Sequence, residues 1–131
     1  MSDLYDYSKW DGKLTKRELV CQHTGEENPN VAEFTALIDL VYKLRLKMGI
    51  PFRVSSAYRH PTHPIEAKKL TGPGQHTAAA IDIRVPILDC HRFMKEAFKM
   101  GFTGIGVNLT GEYGQRFIHL DLRETPKVWS Y

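Results

Sequence analysis

The chain has 131 residues, of which 42% are hydrophobic and 25% are charged, and its formal net charge is +3. This length suits one domain, and the hydrophobic content supports a packed core and excludes intrinsic disorder. The mild positive charge comes without a cluster of basic residues, so we expect no binding to nucleic acid or to a membrane, and we expect a monomer.

The first residues and the cysteines set further expectations. No apolar run approaches the length of about 18 residues that spans a bilayer. The polar and acidic start, Met1–Asp6, does not look like a secretory signal, so we expect a product made in the cytoplasm without a signal peptide. Cys21 and Cys90 lack metal-binding spacing, and we expect two separate buried thiols.

The first half of the chain predicts one long helix. Residues 1–29 are expected to form an N-terminal extension that packs on the core, with a short helix at Lys16–Gln22. A helix then follows Asn30, and Gly49 with Pro51 indicates where it ends. Phe52–Ser55 is predicted as a short strand. The apolar residues at helical spacing after Asn30 are Val31, Phe34, Leu37, Ile38, Val41, Leu44 and Met48.

The second half predicts a long loop and then an alternation of strand and helix. Prolines and glycines over residues 59–75 indicate the loop, with one helical turn at Ile65–Leu70. A helix begins near Asp89 and ends at Gly101, and the residues after 123 are treated as a tail. The apolar stripe of the helix that begins near Asp89 is Cys90, Phe93, Met94, Ala97 and Phe98. Strands are predicted at Ala80–Val85, Ile105–Leu109 and Arg116–Arg123. This order predicts an α+β fold for residues 1–131, with a small, mostly antiparallel sheet and helices packed on one face.

Two of these strands carry metal-ligating side chains opposite their apolar residues. Successive side chains of a strand point to opposite faces. His119 and Asp121 therefore share one face of the last strand, and Asp82 lies on the corresponding face of the Ala80–Val85 strand. The residues predicted to face the helices are Ile81, Ile83, Val85, Ile118, Leu120 and Leu122.

These side chains, with His76 just before the Ala80–Val85 strand, predict a zinc site on the open face of the sheet. Catalytic zinc typically uses three protein ligands and leaves a fourth position for water, and His76, Asp82 and His119 meet that count. Arg59 follows the first strand, and arginine is the side chain best shaped to hold a carboxylate.

The order of these segments resembles that of the M15 zinc peptidases. The segments are SAYR at 56–59, GQHTAAAIDI at 74–83, GFTGIGV at 101–107 and FIHLDLR at 117–123. This family contains D-Ala-D-Ala carboxypeptidases and peptidoglycan endopeptidases, and it is structurally related to the hedgehog signalling domain. The resemblance covers residues 31–131, and the terminal VWSY is similar to small members encoded by bacteriophages.

The resemblance implies roles for individual residues. It places the zinc ligands on His76, Asp82 and His119, and the arginine that binds the substrate carboxylate on Arg59, with Ser56 as the serine of the same motif. It also implies that a peptidoglycan peptide is the substrate and that the protein acts on the cell wall.

The spacing of the first two ligands departs from the family pattern. The family usually spaces this pair one residue wider and places a glycine between them, whereas here the run is His-Thr-Ala-Ala-Ala-Ile-Asp from 76 to 82. An ungapped alignment would place Gln75 at the ligand position, and glutamine is a poor zinc ligand. We therefore keep His76 and expect a tighter turn.

The catalytic acid departs from the pattern as well. Many members carry it three residues before the last histidine, where this chain has Arg116. Asp121, on the same strand face as His119, is the first candidate for the general base, and Glu112 in the preceding turn is the second. Arg84 is expected to contact the substrate, and either Arg84 or a histidine of the loop, His60 or His63, is expected to help to stabilise the oxyanion.

Two functions follow as alternatives. The first is a zinc-dependent peptidase that hydrolyses a bond in peptidoglycan stem peptides, as a D,D-carboxypeptidase or an endopeptidase. The second is an inactive, zinc-stabilised module that binds the cell wall or forms part of a phage particle, and Arg116 in place of an acid supports it.

Overall fold

A five-stranded sheet forms the frame of the molecule in the computed structural model, which describes residues 2–69 and 74–131. The strands are Arg53–Ser56 (β1), Ala80–Arg84 (β2), Gly104–Asn108 (β3), Phe117–Asp121 (β4) and Lys127–Ser130 (β5). Their order across the sheet is β1-β2-β4-β3-β5. All neighbours are antiparallel except β3 and β5, which run parallel. The predicted α+β fold with a mostly antiparallel sheet is confirmed.

Four α-helices accompany the sheet in the described residues: Lys16–Leu19 (α1), Val31–Met48 (α2), Pro64–Ala67 (α3) and Cys90–Met100 (α4). The bounds of α2 agree with the prediction, because its end is set locally. Gly49 adopts a left-handed conformation at φ 69°, and its N–H bonds to the carbonyl of Arg45. The loop helix α3 is shorter than predicted, and Leu70 lies outside the described residues.

One face of the sheet packs on α2 and α4 to form the core. Ile81 and Ile83 from β2 and Ile118 and Leu120 from β4 are completely buried, as the strand alternation predicts. The N-terminal segment joins the same core through Tyr5, Trp10, Leu14 and Leu19. Because these apolar side chains fill the core on one side of the sheet, the opposite face of β2 and β4 is left for polar side chains.

Three residues of the predicted apolar sets lie at the surface instead: Leu122, Phe98 and Val31, the first residue of α2, which is 37% exposed. Leu122 is 39% exposed because β4 ends at Asp121, so the strand alternation no longer applies to it. Phe98 is 51% exposed. It follows the buried Ala97 by one residue, which turns it about 100° around α4 and away from the sheet.

The strand β5 was not predicted, because residues 127–130 belong to the segment that was predicted to be a tail. Its side chains are mostly exposed and it has only four residues, so it shows little alternation. It exists because it pairs with β3, with Gly106 opposite Trp129 in the register. This edge strand carries Trp129 to the open face of the sheet.

Cys21 and Cys90 are both buried and unpaired with each other, which confirms the two separate thiols. Among the described residues, none of the helices has the length and apolar character that would be needed to cross a bilayer.

Candidate metal centre

Asp82 and His119 are direct neighbours on the open face of the sheet. β2 and β4 pair antiparallel, and the register places Asp82 opposite His119. Both side chains point away from the core residues that flank them in sequence, and both are only 3% exposed. Nδ1 of His119 lies 3.0 Å from Oδ1 of Asp82. A carboxylate and an imidazole are therefore buried together beneath the open face.

His76 completes the group from a tight turn just before β2. Residues Gln75–Thr77 form a single 3-10 turn, and this compact turn accommodates the shortened spacing between His76 and Asp82. Nε2 of His76 lies 3.2 Å from the same Oδ1 of Asp82. One ligand atom from each of His76, Asp82 and His119 lies within 4.8 Å of the other two. The three predicted ligands do come together, and this buried group could hold a metal ion.

Each histidine is held through its other ring nitrogen. Nδ1–H of His76 donates to the carbonyl of Ala57 at 2.6 Å, and Nε2–H of His119 donates to Oδ2 of Asp121 at 2.7 Å. Metal-binding histidines almost always have such a second partner, which fixes the ring and its tautomer. When both rings are neutral, this leaves lone pairs on Nε2 of His76 and Nδ1 of His119 that are directed at an Asp82 oxygen, and a further proton on either ring would be donated to that oxygen. Three electron-rich atoms that converge in this way fit a cation between them.

The ionisation of these groups favours the charged carboxylates. Burial alone would raise the pKa of Asp82, but hydrogen bonds from His119 and then His76 hold that pKa well below its usual range. Burial would likewise raise the pKa of Asp121, and the contacts with His119 and Arg123 hold it low. For His119 the direction is opposite, since burial lowers its pKa but Asp121 and Asp82 together raise it. Both aspartates are therefore anionic at neutral pH, as metal ligation requires.

Two glycines of β3 make room for the groups around His119. A Cβ on Gly104 would lie 1.8 Å from Oδ1 of Asp121, and a Cβ on Gly106 would lie 2.4 Å from the Trp129 ring. The Trp129 ring is centred 5.0 Å from that of His119. These roles of Gly104 and Gly106 were not predicted, although the spacing of the two glycines within a strand was a signal for close approach.

The triad opens into a cleft of about 860 Å³. This volume is within the range of roughly 300–1,000 Å³ that is usual for small-ligand sites. The cations that line it are Arg59, Lys69, Arg123 and Lys127, and the aromatic side chains are Phe117, Trp129 and Tyr131. Asp82 carries the only acidic side chain among the described residues that line the cleft. The cleft is therefore positively charged and partly apolar.

Arg59 lies at one side of the triad and is tightly held. Its Nε donates to Ser56 Oγ at 3.0 Å, its Nη1 to Glu66 Oε2 at 3.1 Å, and its Nη2 lies 3.5 Å from Asp82 Oδ2. Because a guanidinium has five N–H donors, one N–H remains on each Nη for another acceptor. The predicted pair Ser56 and Arg59 thus lies beside the triad of His76, Asp82 and His119.

Glu66, which the sequence analysis did not single out, fixes the loop that carries Arg59. Its carboxylate is completely buried and accepts from Arg59, from Lys69 at 2.9 Å and from the backbone N–H of Gly74 at 2.8 Å. Burial would raise its pKa, but these donors hold it down at about 2. Little in the sequence indicates this role, since Glu66 closely follows Pro64 in a segment with the composition of a surface turn.

The remaining predicted site residues lie outside the lining of the cleft. Asp121 is completely buried behind His119. Glu112 is exposed in the turn before β4, two residues before Gly114, which does line the cleft. Arg84 is half-buried at the end of β2, and its Nε is a buried nitrogen without a hydrogen-bond partner in the described part of the chain. Arg116 donates from Nε to the carbonyl of Gly111 at 2.8 Å.

Comparison with known proteins finds no matching family model, no matching curated protein and no matching solved structure. The residues of the site and their geometry are therefore the basis for assigning its role.

Proposed function

We propose that this protein is a zinc-dependent peptidase that hydrolyses a peptide bond in bacterial peptidoglycan stem peptides, as a D,D-carboxypeptidase or an endopeptidase. The observation that supports this most is the convergence of His76, Asp82 and His119 at the base of a cleft that also contains Arg59. Three nitrogen and oxygen ligands with open space beside them are typical of catalytic zinc, whereas structural zinc sites are closed by four protein ligands.

His76, Asp82 and His119 would hold the metal through Nε2, a carboxylate oxygen and Nδ1. When bound, zinc supplies a water of lowered pKa and polarises a carbonyl. The residues around the triad then position the substrate. The two N–H groups left on the guanidinium of Arg59 suit a carboxylate of the peptide, and Ser56 and Glu66 keep that guanidinium in place. Binding the carboxylate there sets which peptide bond lies over the triad.

Asp121 and Glu112 are the two candidates for the general base. Asp121 is bonded to His119 and Arg123 and does not line the cleft, so its geometry suits positioning of His119 better than removal of a proton from water. Glu112 is exposed in a turn two residues before Gly114, which lines the cleft, so it is an acidic side chain close in sequence to the cleft wall. We therefore propose Glu112 as the base and Asp121 as a positioning residue.

A second candidate function is an inactive zinc-stabilised module that binds the cell wall or belongs to a phage particle. One observation favours it: in the described residues, Asp82 has the only acidic side chain that lines the cleft, and Asp82 is needed as a ligand. A protein of this kind would keep the metal and the carboxylate-binding Arg59 and would release no product.

Mass spectrometry of muropeptides separates the two functions. Purified peptidoglycan is incubated with zinc-loaded protein, with chelator-treated protein and with the His119→Ala variant. A peptidase releases fragments of defined mass only in the first sample. The control is His91→Ala, which removes an exposed histidine on α4, and we expect it to behave as the wild type. Sedimentation of intact peptidoglycan with bound protein and no new fragments would instead support the module.

A further inference from the structure

The positively charged side chains of the cleft lie on both sides of the triad of His76, Asp82 and His119. β2 and β4, which carry Asp82 and His119, are central in the sheet, with β1 at one edge and β5 at the other. Arg59 follows β1 and contacts Asp82. Lys127 begins β5, whose Trp129 packs on His119. A peptide that crosses the triad along the cleft therefore meets positive charge at each end.

The cations on the β5 side are built into the cleft wall. Arg123 holds Asp121 through Nε at 2.9 Å and through Nη2 at 2.6 Å, and its Cζ lies 4.5 Å from the centre of the Trp129 ring. Its Nη1 has no hydrogen-bond partner within residues 2–69 and 74–131. Lys127 Nζ lies 5.8 Å from the same ring. A guanidinium that is fixed on one side and free on the other suits an incoming anion.

The anions near these cations leave the cleft itself positive. Glu66 and Asp121 neutralise part of the charge, but both carboxylates are completely buried behind the guanidinium groups and do not line the cleft. A substrate would therefore meet Arg59 with Lys69 at one end and Arg123 with Lys127 at the other. Each pair offers N–H donors to an oxygen anion.

We infer that the substrate carries a carboxylate on each side of the bond over the triad, the first bound by Arg59 and the second by Arg123 and Lys127. This inference rests on the proposed function and narrows its substrate class. Both kinds of stem peptide carry the free α-carboxylate of γ-linked D-Glu on the amino side of that bond, but those with diaminopimelate carry a further, side-chain carboxylate one residue closer to it, which those with lysine lack. The structure therefore assigns a preference for diaminopimelate-type peptides, whose terminal carboxylate and side-chain carboxylate lie on opposite sides of the D-Ala-D-Ala bond.

A matched pair of substrates tests this preference. The two pentapeptides are L-Ala-γ-D-Glu-X-D-Ala-D-Ala with X as meso-diaminopimelate or L-lysine, which differ in a single carboxylate. We expect wild-type protein to prefer the diaminopimelate peptide about tenfold in kcat/KM. In Lys127→Gln this ratio falls about threefold, and in Lys127→Glu it falls further. Lys99→Gln removes an exposed charge on α4, far from the cleft lining, and keeps the wild-type ratio.

Binding without turnover provides a separate readout. Calorimetry on chelator-treated protein compares the Kd of the two peptides for wild type, Lys127→Gln and Lys99→Gln. If wild type and Lys99→Gln bind the diaminopimelate peptide more tightly than the lysine peptide and Lys127→Gln does not, the inference is supported. This holds even if neither peptide is cleaved, because the lack of cleavage would reject only the peptidase function. Equal Kd and equal kcat/KM for the two peptides would overturn the inference, and cleavage of both would leave the peptidase function intact.

Discussion

Nε2 of His119 lies 2.7 Å from Oδ2 of Asp121, two residues further along the same strand. The strand pleat places both side chains on the open face, and Arg123 closes the other side of the carboxylate. The contact orients His119 so that Nδ1 faces Asp82. A metal site built in this way depends on residues that never touch the metal.

We expect Asp121→Asn to weaken zinc binding by about 10- to 100-fold, the usual cost of losing a carboxylate behind a metal-binding histidine. The amide keeps the shape of the carboxylate but removes its charge and offers an N–H to His119. Competition with a chelating dye measures the affinity, and circular dichroism checks the fold. Glu124→Gln, an exposed residue close in sequence, is the matched control. Wild-type affinity in Asp121→Asn would show that this contact does not support the metal.

Gly104→Ala is expected to disturb the same contact from the neighbouring strand. The new Cβ would lie 1.8 Å from Oδ1 of Asp121, so the carboxylate must leave its position beside His119. We expect a loss of about 1–3 kcal/mol in the free energy of unfolding, as for other overpacked sites, together with weaker zinc binding. Urea unfolding and the dye competition measure the two effects.

Gly114→Ala is the control for that experiment, since a Cβ there meets no atom within 4 Å. It should match the wild type in stability and in zinc affinity. Equal behaviour of Gly104→Ala and Gly114→Ala would mean that the Asp121 carboxylate relaxes without cost.

Arg59→Lys tests the carboxylate-binding role. Lysine keeps the positive charge but cannot donate to Ser56, Glu66 and a ligand in one plane. We expect KM for a peptide with a free terminal carboxylate to rise about tenfold. The same peptide with a terminal amide should bind weakly to both proteins, with little difference between them. An equal rise in KM for the acid and the amide would point to a general disturbance of the cleft.

The sequence predicts the parts of this structure that depend on local periodicity. Helical spacing with a terminal glycine predicts α2 correctly, and strand alternation places Asp82 and His119 on the same face. The triad then needs only that β2 and β4 are neighbours. That adjacency was assumed in the prediction, and the sheet order supplies it.

The parts that were missed depend on contacts between distant segments. β5 forms only because β3 offers it an edge, and Trp129 fits over His119 only because Gly106 has no side chain. Glu66 is buried because Arg59, Lys69 and the backbone of Gly74 surround it. Apart from Lys69, which is three residues from Glu66, these partners lie further away in the sequence, so local patterns do not identify them.

Glu112→Gln tests the proposed general base. Loss of a general base typically lowers kcat by about 10²- to 10⁴-fold. We expect a fall of this size in Glu112→Gln, with KM and zinc affinity unchanged, because Glu112 contacts neither the metal ligands nor Arg59. Glu124→Gln again controls for loss of an exposed carboxylate. If kcat of Glu112→Gln equals that of the wild type, another group takes the proton. Measuring kcat of Asp121→Asn would then decide whether that group is Asp121.

Glu66 makes the stability of the fold depend on acid pH. Its pKa is about 2 in the folded protein against 4.5 for the unperturbed group, because Lys69, Gly74 and Arg59 outweigh the effect of burial. A carboxylate with a lowered folded pKa adds stability that is fully present above its unfolded pKa and is lost as pH falls towards the folded pKa. Glu66 therefore stabilises the protein above pH 4.5, and we expect this contribution to disappear between pH 4.5 and about 2.

Urea unfolding of wild type and Glu66→Gln at several pH values measures this contribution. We expect the wild type to be more stable by about 1–3 kcal/mol at pH 7, a difference that shrinks as pH falls below 4.5. The variant keeps the size of the side chain but loses the charge that Arg59 and Lys69 surround. Glu33→Gln, which removes an exposed carboxylate on α2, is the matched control measured over the same pH range. A constant difference for Glu66→Gln would mean that the pKa of Glu66 is the same in the folded and unfolded protein, so the contacts with Arg59 and Lys69 would add no net stability through its charge.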